Sequence, residues 1–143
     1  MVYACLLLAL SSLPAMADTP TTSELVVVMQ GLKVQEGTLK LTLFDEADAY
    51  PKRPEDALRS LDVPVRGATA QARFVGLPYG TYAVSVHHDE NDNGKLDTTI
   101  IGVPNEGLGA SNDAKGFMGP PKFDAAAFDV DSPQVSITVQ MEY

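Results

Sequence analysis

Short runs in which apolar and polar residues alternate are the feature that most restricts how this chain can fold. In residues 38–44, three leucines alternate with threonine and lysine, and a phenylalanine follows the last leucine. Residues 134–143 have the same period, and their apolar members are Val135, Ile137, Val139 and Met141. Alternate residues of a strand point to opposite faces, so these runs predict strands with one buried face.

Turn-forming residues separate further segments that have the composition of strands. These segments are residues 25–29, 68–74, 81–87 and 123–130. Residues 45–61 differ because they contain two prolines and many charges, so we interpret them as a crossover between two sheets, with one or two helical turns at residues 54–59. About seven short strands and almost no helix predict an all-β fold, an antiparallel β-sandwich with one long ordered loop.

Residues 1–17 have the composition of a secretory signal peptide. Residues 6–10 form a short apolar run, and Ala15-Met16-Ala17 is a small-x-small cleavage site. The run is too short to span a membrane, and no later segment qualifies. We therefore expect a β-sandwich domain at residues 18–143, no membrane span, and export to the periplasm or the extracellular space.

Cysteine content and charge exclude several classes of function. The only cysteine, Cys5, lies in the predicted signal peptide, so the remaining chain has no disulfide, thiolate metal site or cysteine nucleophile. All charged residues follow residue 17, and the net charge is −9. This charge argues against nucleic acid and anionic lipid as partners, and it is compatible with attracting cations.

Oxygen-bearing side chains are spaced through residues 89–97 as in the first half of a calcium-binding loop. The predicted ligands are the side chains of Asp89, Asn91, Asn93 and Asp97 and the main-chain carbonyl of Lys95. Gly94 allows the sharp bend that would bring these oxygens together. Calcium is therefore the expected cofactor, with a structural role.

Two observations limit this interpretation. Position twelve of the loop is Ile100 rather than a bidentate glutamate, and the residues before Asp89 read as a strand, so a helix–loop–helix site is not expected. Calcium affinity would then be weak. Because Asp, Asn and Gly are also the common turn residues, the alternative is a solvated turn without metal.

Residues 98–122 form the long loop of the predicted sandwich. Loops of this length are usually functional or disordered, and the apolar residues within it favour an ordered one. The first alternative function is therefore a binding protein that uses this loop for a small molecule, a glycan or an envelope-protein partner. A shallow pocket containing Tyr79, Phe117 and Met118 would favour that alternative.

His87 and His88 are the only histidines, and neighbours on a strand point to opposite faces. We place His88 on the loop side, as a general base in a small hydrolase-type enzyme with Asp89 or Glu106, or as a ligand for zinc or copper. Met118 could join a copper site as a soft ligand. The alternative is that His88 orients the acidic loop by hydrogen bonding. Ser111 lacks the context of a nucleophile, so no catalytic residue is assigned and a non-enzymatic module is favoured.

Several motifs resemble known sandwich modules. Residues 74–82 are similar to the F-x-x-L-x-x-G-x-Y hairpin of transthyretin-like domains. The segments 88–97, 102–107, 111–112 (Ser111-Asn112) and 119–123 resemble the bacterial domain-of-unknown-function family 2141, over residues 25–143. The resemblance implies an exported Ig-like or transthyretin-like β-sandwich, and it implies no particular activity.

Overall fold

The computed structural model describes Thr19 and residues 21–143, so the predicted signal peptide lies outside the described residues. Eight strands make up most of this part of the chain. They are β1 (Thr22–Gln30), β2 (Thr38–Phe44), β3 (Arg59–Pro64), β4 (Thr69–Pro78), β5 (Gly80–Asp89), β6 (Leu108–Ala110), β7 (Phe128–Val130) and β8 (Gln134–Gln140). Helical structure in this part of the chain is limited to single turns of 3-10 helix at Pro54–Asp56 and Ser111–Asp113, and to the short helix α1 (Phe123–Ala126).

The strands form two sheets. One has three strands in the order β4-β1-β8, and the other has the order β3-β2-β5-β6, with β7 pairing the first residues of β5. All pairs are antiparallel except β1 with β8, which run parallel. The prediction of an all-β sandwich is confirmed, with two sheets that are mainly antiparallel.

The core lies between the two sheets and is built from the apolar faces that the alternation predicts. Leu39, Leu41 and Leu43 of β2 have no exposed surface. They pack in one cluster with Leu25, Val27 and Met29 of β1 and with Val84 and Val86 of β5. Burial of such side chains contributes about 1.5–3 kcal/mol each, which makes this cluster the main source of stability.

A second, smaller cluster lies on the outer face of the five-stranded sheet. Tyr50 packs edge-on against Phe44 and Phe123, with ring centroids 5.3 Å and 5.9 Å apart. Ala83 of β5 and Ala126 of α1 are buried beside them. This cluster fixes residues 45–57 and α1 over the outer face of the sheet, where strands of a two-layer sandwich usually meet solvent.

Three predictions about the elements were wrong in detail. Residues 45–58 connect β2 to its neighbour β3 in one sheet, so they are not a crossover between sheets; the buried ring of Tyr50 draws them over the outer face. The expected strand at residues 123–130 begins as α1 and becomes extended only at Phe128. The loop at residues 98–122 contains β6, which pairs with residues 85–87 of β5.

Candidate functional site

The acidic loop is organised around the carboxylate of Asp89, which is almost fully buried at the end of β5. Its two oxygens accept hydrogen bonds from the backbone N–H groups of Asn93 (3.0 Å) and Gly94 (2.8 Å). Gly94 has a φ of 77°, in the left-handed region that glycine adopts without strain. The loop therefore curls back on its first residue, as the sequence predicts.

Asn91 and Asn93 continue the same pattern of side-chain to backbone hydrogen bonds. Oδ1 of Asn91 accepts from the N–H of Asn93 at 3.2 Å, and Oδ1 of Asn93 accepts from the N–H of Lys95 at 2.8 Å. Their Nδ2 groups donate to the Asp97 carboxylate at 2.7–3.0 Å. The side chains of all four predicted ligands thus lie in one hydrogen-bonded group.

These amide hydrogen bonds stabilise the charged form of Asp97. The bond from Asn93, followed by the bond from Asn91, lowers the pKa of this carboxyl below its ordinary value of 3.8. Each Oδ1 retains a second lone pair that could bind a cation. A cation in this loop would take the place of the Asn91 and Asn93 N–H groups as the partner of the Asp97 carboxylate. Without a cation, these hydrogen bonds hold the loop side chains together.

A count of classical ligands finds no metal centre in this part of the chain. Within residues 21–143, no three side chains of His, Cys, Asp or Glu lie close enough together to hold an ion. The predicted calcium set has only two carboxylates, those of Asp89 and Asp97, and its other ligands are amide and main-chain oxygens.

Glu106 joins the two ends of the acidic loop. Its buried carboxylate accepts hydrogen bonds from the N–H groups of Glu90 and Asp97, both at 3.0 Å, and lies 2.7 Å from Nε2 of His87. Glu90 in turn accepts from the N–H of Gly107 at 3.2 Å. Glu106 therefore acts as a structural connector between the loop, β5 and the segment that leads into β6.

The placement of His88 on the loop side was wrong. His88 is fully buried, with Nε2 2.7 Å from the carbonyl of Glu36 and Nδ1 2.7 Å from the hydroxyl of Tyr143. Both ring nitrogens are engaged away from the acidic loop, so His88 neither orients that loop nor can contact a substrate. Met118 is 93% exposed, so the two residues cannot form the suggested zinc or copper site.

Ser111 and Asn112 have structural contacts. The Ser111 hydroxyl is buried, accepts from the N–H of Val84 at 2.9 Å and donates to the carbonyl of Ala126. Asn112 adopts a left-handed φ of 58° and donates to the carbonyl of Ala127 at 2.7 Å. Asparagine tolerates this conformation better than most residues. Both residues hold α1 against β5.

A cavity of about 920 Å³ lies on the outer face of the five-stranded sheet, and we call it the outer-sheet groove. Two complete cross-strand rows of side chains make its floor. One row is Asp62, Lys40, His87 and Leu108, and the next is Ser60, Thr42, Ser85 and Ala110. Residues two apart share a face, so the polar half of the alternation on β2 and β5 forms this floor.

Three irregular segments make the walls of the groove. Residues 50–54 form one wall, and residues 96–104 and 113–121 form the others. Each of them contributes at least one proline to the lining, including Pro51, Pro104 and Pro120. The prediction that residues 98–122 are ordered and border a binding surface is consistent with this arrangement, although the binding of a ligand remains a prediction.

The predicted pocket of Tyr79, Phe117 and Met118 is not formed. Tyr79 borders a separate shallow depression beside Gly80 and Asp129, while Phe117 and Met118 are 94% and 93% exposed. Sequence reasoning also missed the groove floor. Its signal was present in the polar face of residues 38–44, which includes Lys40 and Thr42. The partners of these residues come from three other strands whose pairing the sequence does not specify.

None of the helices in the described part of the chain is long and apolar enough to cross a membrane. No curated protein and no solved structure is significantly similar to this chain. One family model matches residues 27–138, which covers β1 to most of β8, and it is described as an uncharacterized protein conserved in bacteria. The chain is therefore a member of this bacterial family, DUF2141.

Proposed function

We propose that this protein is an exported, non-enzymatic β-sandwich module in which residues 89–97 bind calcium as a structural ion. The observation that best supports this role is the buried carboxylate of Asp89, around which Asn91, Asn93 and Asp97 are gathered by hydrogen bonds. Side-chain and main-chain oxygens on a tight loop suit a hard cation. The ion would order the start of residues 98–122 through Asp97.

Thermal unfolding with calcium and with chelator tests this proposal. With the weak affinity of extracellular modules, about 10⁻⁴–10⁻³ M, calcium at about 10 mM would stabilise the fold by about 1.4–2.7 kcal/mol. We expect a rise of several degrees in the unfolding temperature. Magnesium at the same concentration would have a smaller effect, because it demands a more regular octahedral site.

A matched pair of variants separates ligand binding from loss of charge. Asp97→Ala removes a proposed ligand together with its charge, whereas Asp92→Asn removes one charge from the same loop outside the ligand set. Asp92 has a left-handed φ of 57°, which asparagine also adopts. The calcium response should disappear in the first variant and persist in the second. An equal response in both variants, or none in the unmodified protein, would leave the loop as a solvated turn.

Export rests on the composition of residues 1–17. Mass spectrometry of the protein recovered from a bacterial periplasm or culture medium tests it. The expected product begins at Asp18. Recovery of the intact chain from the cytoplasm alone would contradict both export and the assignment of a cleaved signal peptide.

A second function, ligand binding, is favoured by the outer-sheet groove. Its volume of about 920 Å³ falls within the range of small-molecule sites, and its lining combines apolar walls with a polar floor. An enzyme that uses His88 has no comparable support, since that side chain has no exposed surface.

A further inference from the structure

The outer-sheet groove is enriched in positive charge relative to the rest of this acidic chain. Of the six lysines in the sequence, Lys40, Lys52 and Lys115 line it. Of the nineteen acidic residues, only three line it. The lining is thus formally neutral, while the whole chain carries −9. The negative potential of the molecule is therefore reduced inside this groove, so an anion can enter it.

The three lysines come from separate segments and surround the cavity. Lys40 lies on the floor, and Lys52 and Lys115 lie on different walls. Lys40 is 3.3 Å from Asp62 in a partly exposed pair, and Lys115 is 3.0 Å from Glu142 in an exposed pair. Exposed pairs of this kind contribute little, so a bound anion can replace the carboxylate partners. Lys52 has no ion pair among the residues that the structure describes.

Hydroxyl groups lie beside Lys40 on the floor. Thr42 donates to the carbonyl of Ser85 at 3.3 Å, and its neighbours across the strands are Ser60 and Ser85. The hydroxyls of these two serines make no hydrogen bond within residues 21–143. A lysine and two free hydroxyls can together donate to the oxygens of a carboxylate or a phosphate.

The walls and the rim of the groove carry many apolar side chains, so a ligand that fills the groove should also have an apolar part. Tyr50, Leu96 and Leu108 line the groove together with prolines of all three wall segments. Ile101 and Phe117 adjoin the lining residues Gly102 and Gly116, and they are 84% and 94% exposed. Exposed apolar side chains around a concave site commonly mark ligand or partner contacts.

We propose that the outer-sheet groove binds an amphiphilic organic anion. The carboxylate or phosphate headgroup lies at Lys40 and the serine hydroxyls, and the apolar body extends between the proline-rich walls toward Ile101 and Phe117. This assignment specifies the ligand class for the second function proposed above, and it does not depend on calcium in residues 89–97.

Calorimetric titration of the purified protein in chelator tests the assignment. The probes are decanoate, decyl phosphate and the uncharged decanol. We expect one or both anions to bind, and decanol to bind at least about tenfold more weakly, since it lacks the charged group to which Lys40 and the serine hydroxyls would donate. Equal binding of decanol would overturn the proposal, as would failure of both anions to bind. Because chelator is present throughout, failure of the calcium proposal would leave these results unchanged.

Three variants locate the headgroup. Lys40→Met should weaken anion binding about tenfold. Asp62→Asn removes the carboxylate that competes with the ligand for Lys40, so it should strengthen anion binding. If the Lys40–Asp62 pair only maintained the shape of the groove, both variants would bind the anion more weakly. Arg66→Met, outside the groove, is the control for net charge. Unchanged affinity in Lys40→Met, or weaker binding in Asp62→Asn with an unchanged unfolding temperature, would overturn the assignment.

A final arm distinguishes a free amphiphile from a lipid in a membrane. Cosedimentation is measured with vesicles of phosphatidylcholine and phosphatidylglycerol. Binding to free decyl phosphate that depends on Lys40 supports the groove as the site. Binding to vesicles alone, lost in Ile101→Ser and Phe117→Ser but retained in Lys40→Met, would show membrane contact through the exposed loop tips and overturn the groove assignment.

Discussion

Nε2 of His87 lies 2.7 Å from the carboxylate of Glu106, which is almost completely buried. His87 belongs to the floor of the outer-sheet groove, while Glu106 holds the acidic loop through the N–H groups of Glu90 and Asp97. This one pair therefore connects the two candidate sites. A disturbance of the loop can reach the groove through it.

Glu106→Ala should be among the most destabilising single changes in the loop region. It leaves two backbone N–H groups and the His87 ring without their acceptor, and each buried polar group left without a partner costs about 1–3 kcal/mol. Urea unfolding measures the loss of free energy. Glu55→Ala, at an exposed position, is the control and should change stability by less than about 0.5 kcal/mol. Similar values for the two variants would contradict the structural role of Glu106.

Asn93→Ala should raise the pKa of Asp97 toward 3.8, because the largest cause of its depression is the hydrogen bond from Asn93. A depressed pKa in the folded state means that the carboxylate stabilises the fold above pH 3.8 and that this contribution is lost as the pH falls through the folded value. Carbon-13 NMR titration of the Asp97 carboxyl measures the shift. Asn105→Ala is the control and should leave the Asp97 pKa unchanged. An unchanged Asp97 pKa in Asn93→Ala would show that the hydrogen bond from Asn93 is not what lowers it.

Tyr50→Phe should remove part of the loss of stability at alkaline pH. Burial raises the pKa of Tyr50 from 10.0 to about 12, so the neutral form stabilises the fold below pH 10 and this contribution falls as the pH rises through 12. The Tyr50 hydroxyl is also buried, and it has no hydrogen-bond partner within residues 21–143. At pH 7 the variant should therefore be as stable as the unmodified protein, or up to about 1 kcal/mol more stable.

Urea unfolding of Tyr50→Phe at neutral and alkaline pH measures both effects. Tyr82→Phe provides the contrast, since the Tyr82 hydroxyl donates to the carbonyl of Pro78 at 2.7 Å. That variant should lose about 1 kcal/mol at pH 7. A larger loss in Tyr50→Phe than in Tyr82→Phe would mean that the Tyr50 hydroxyl has a partner.

Gly37→Ala should destabilise the junction between β2 and the acidic loop by more than about 1 kcal/mol. Gly37 has a φ of 79°, and a Cβ there would overlap the carbonyl oxygen of Asp89 and lie 2.8 Å from Cα of Glu90. Gly67→Ala is the matched control, because a Cβ at that position meets no atom within 4 Å. Scanning calorimetry compares the two, and equal unfolding temperatures would contradict the close approach at Gly37.

The alternating strands could be predicted because burial of one face leaves a period of two in the sequence. Residues 38–43 keep this period, and the predicted boundaries of 38–44 match β2. β6 could not be predicted, since the three residues Leu108, Gly109 and Ala110 are too few to show a period. Nor does any local pattern indicate that β1 pairs with β8 in parallel, because strand pairing depends on contacts distant in sequence.

The burial of His88 could have been predicted from the alternation of buried and outward-facing residues along β5. Tyr82, Val84 and Val86 are buried, and His88 is the next residue on that face. The acidic residues that follow in sequence suggested the opposite environment. Local hydrogen bonding of Asp89 and Gly94 was predictable, because turn chemistry acts over a few residues. The outer-sheet groove was not, because its lysines come from three segments that meet only in the folded protein.

The central position of β1 in its sheet has a consequence for the order of folding. Glu24 and Gln134 lie side by side although they are 110 residues apart in sequence, and the other neighbour, β4, begins at Thr69. The apolar residues of β1 therefore have no strand partner until β4 has been synthesised, and their second partner, β8, is the last strand of the domain. Such non-local pairing slows folding. A chain that stays unfolded until its last strand emerges would remain competent for threading through a narrow translocation channel.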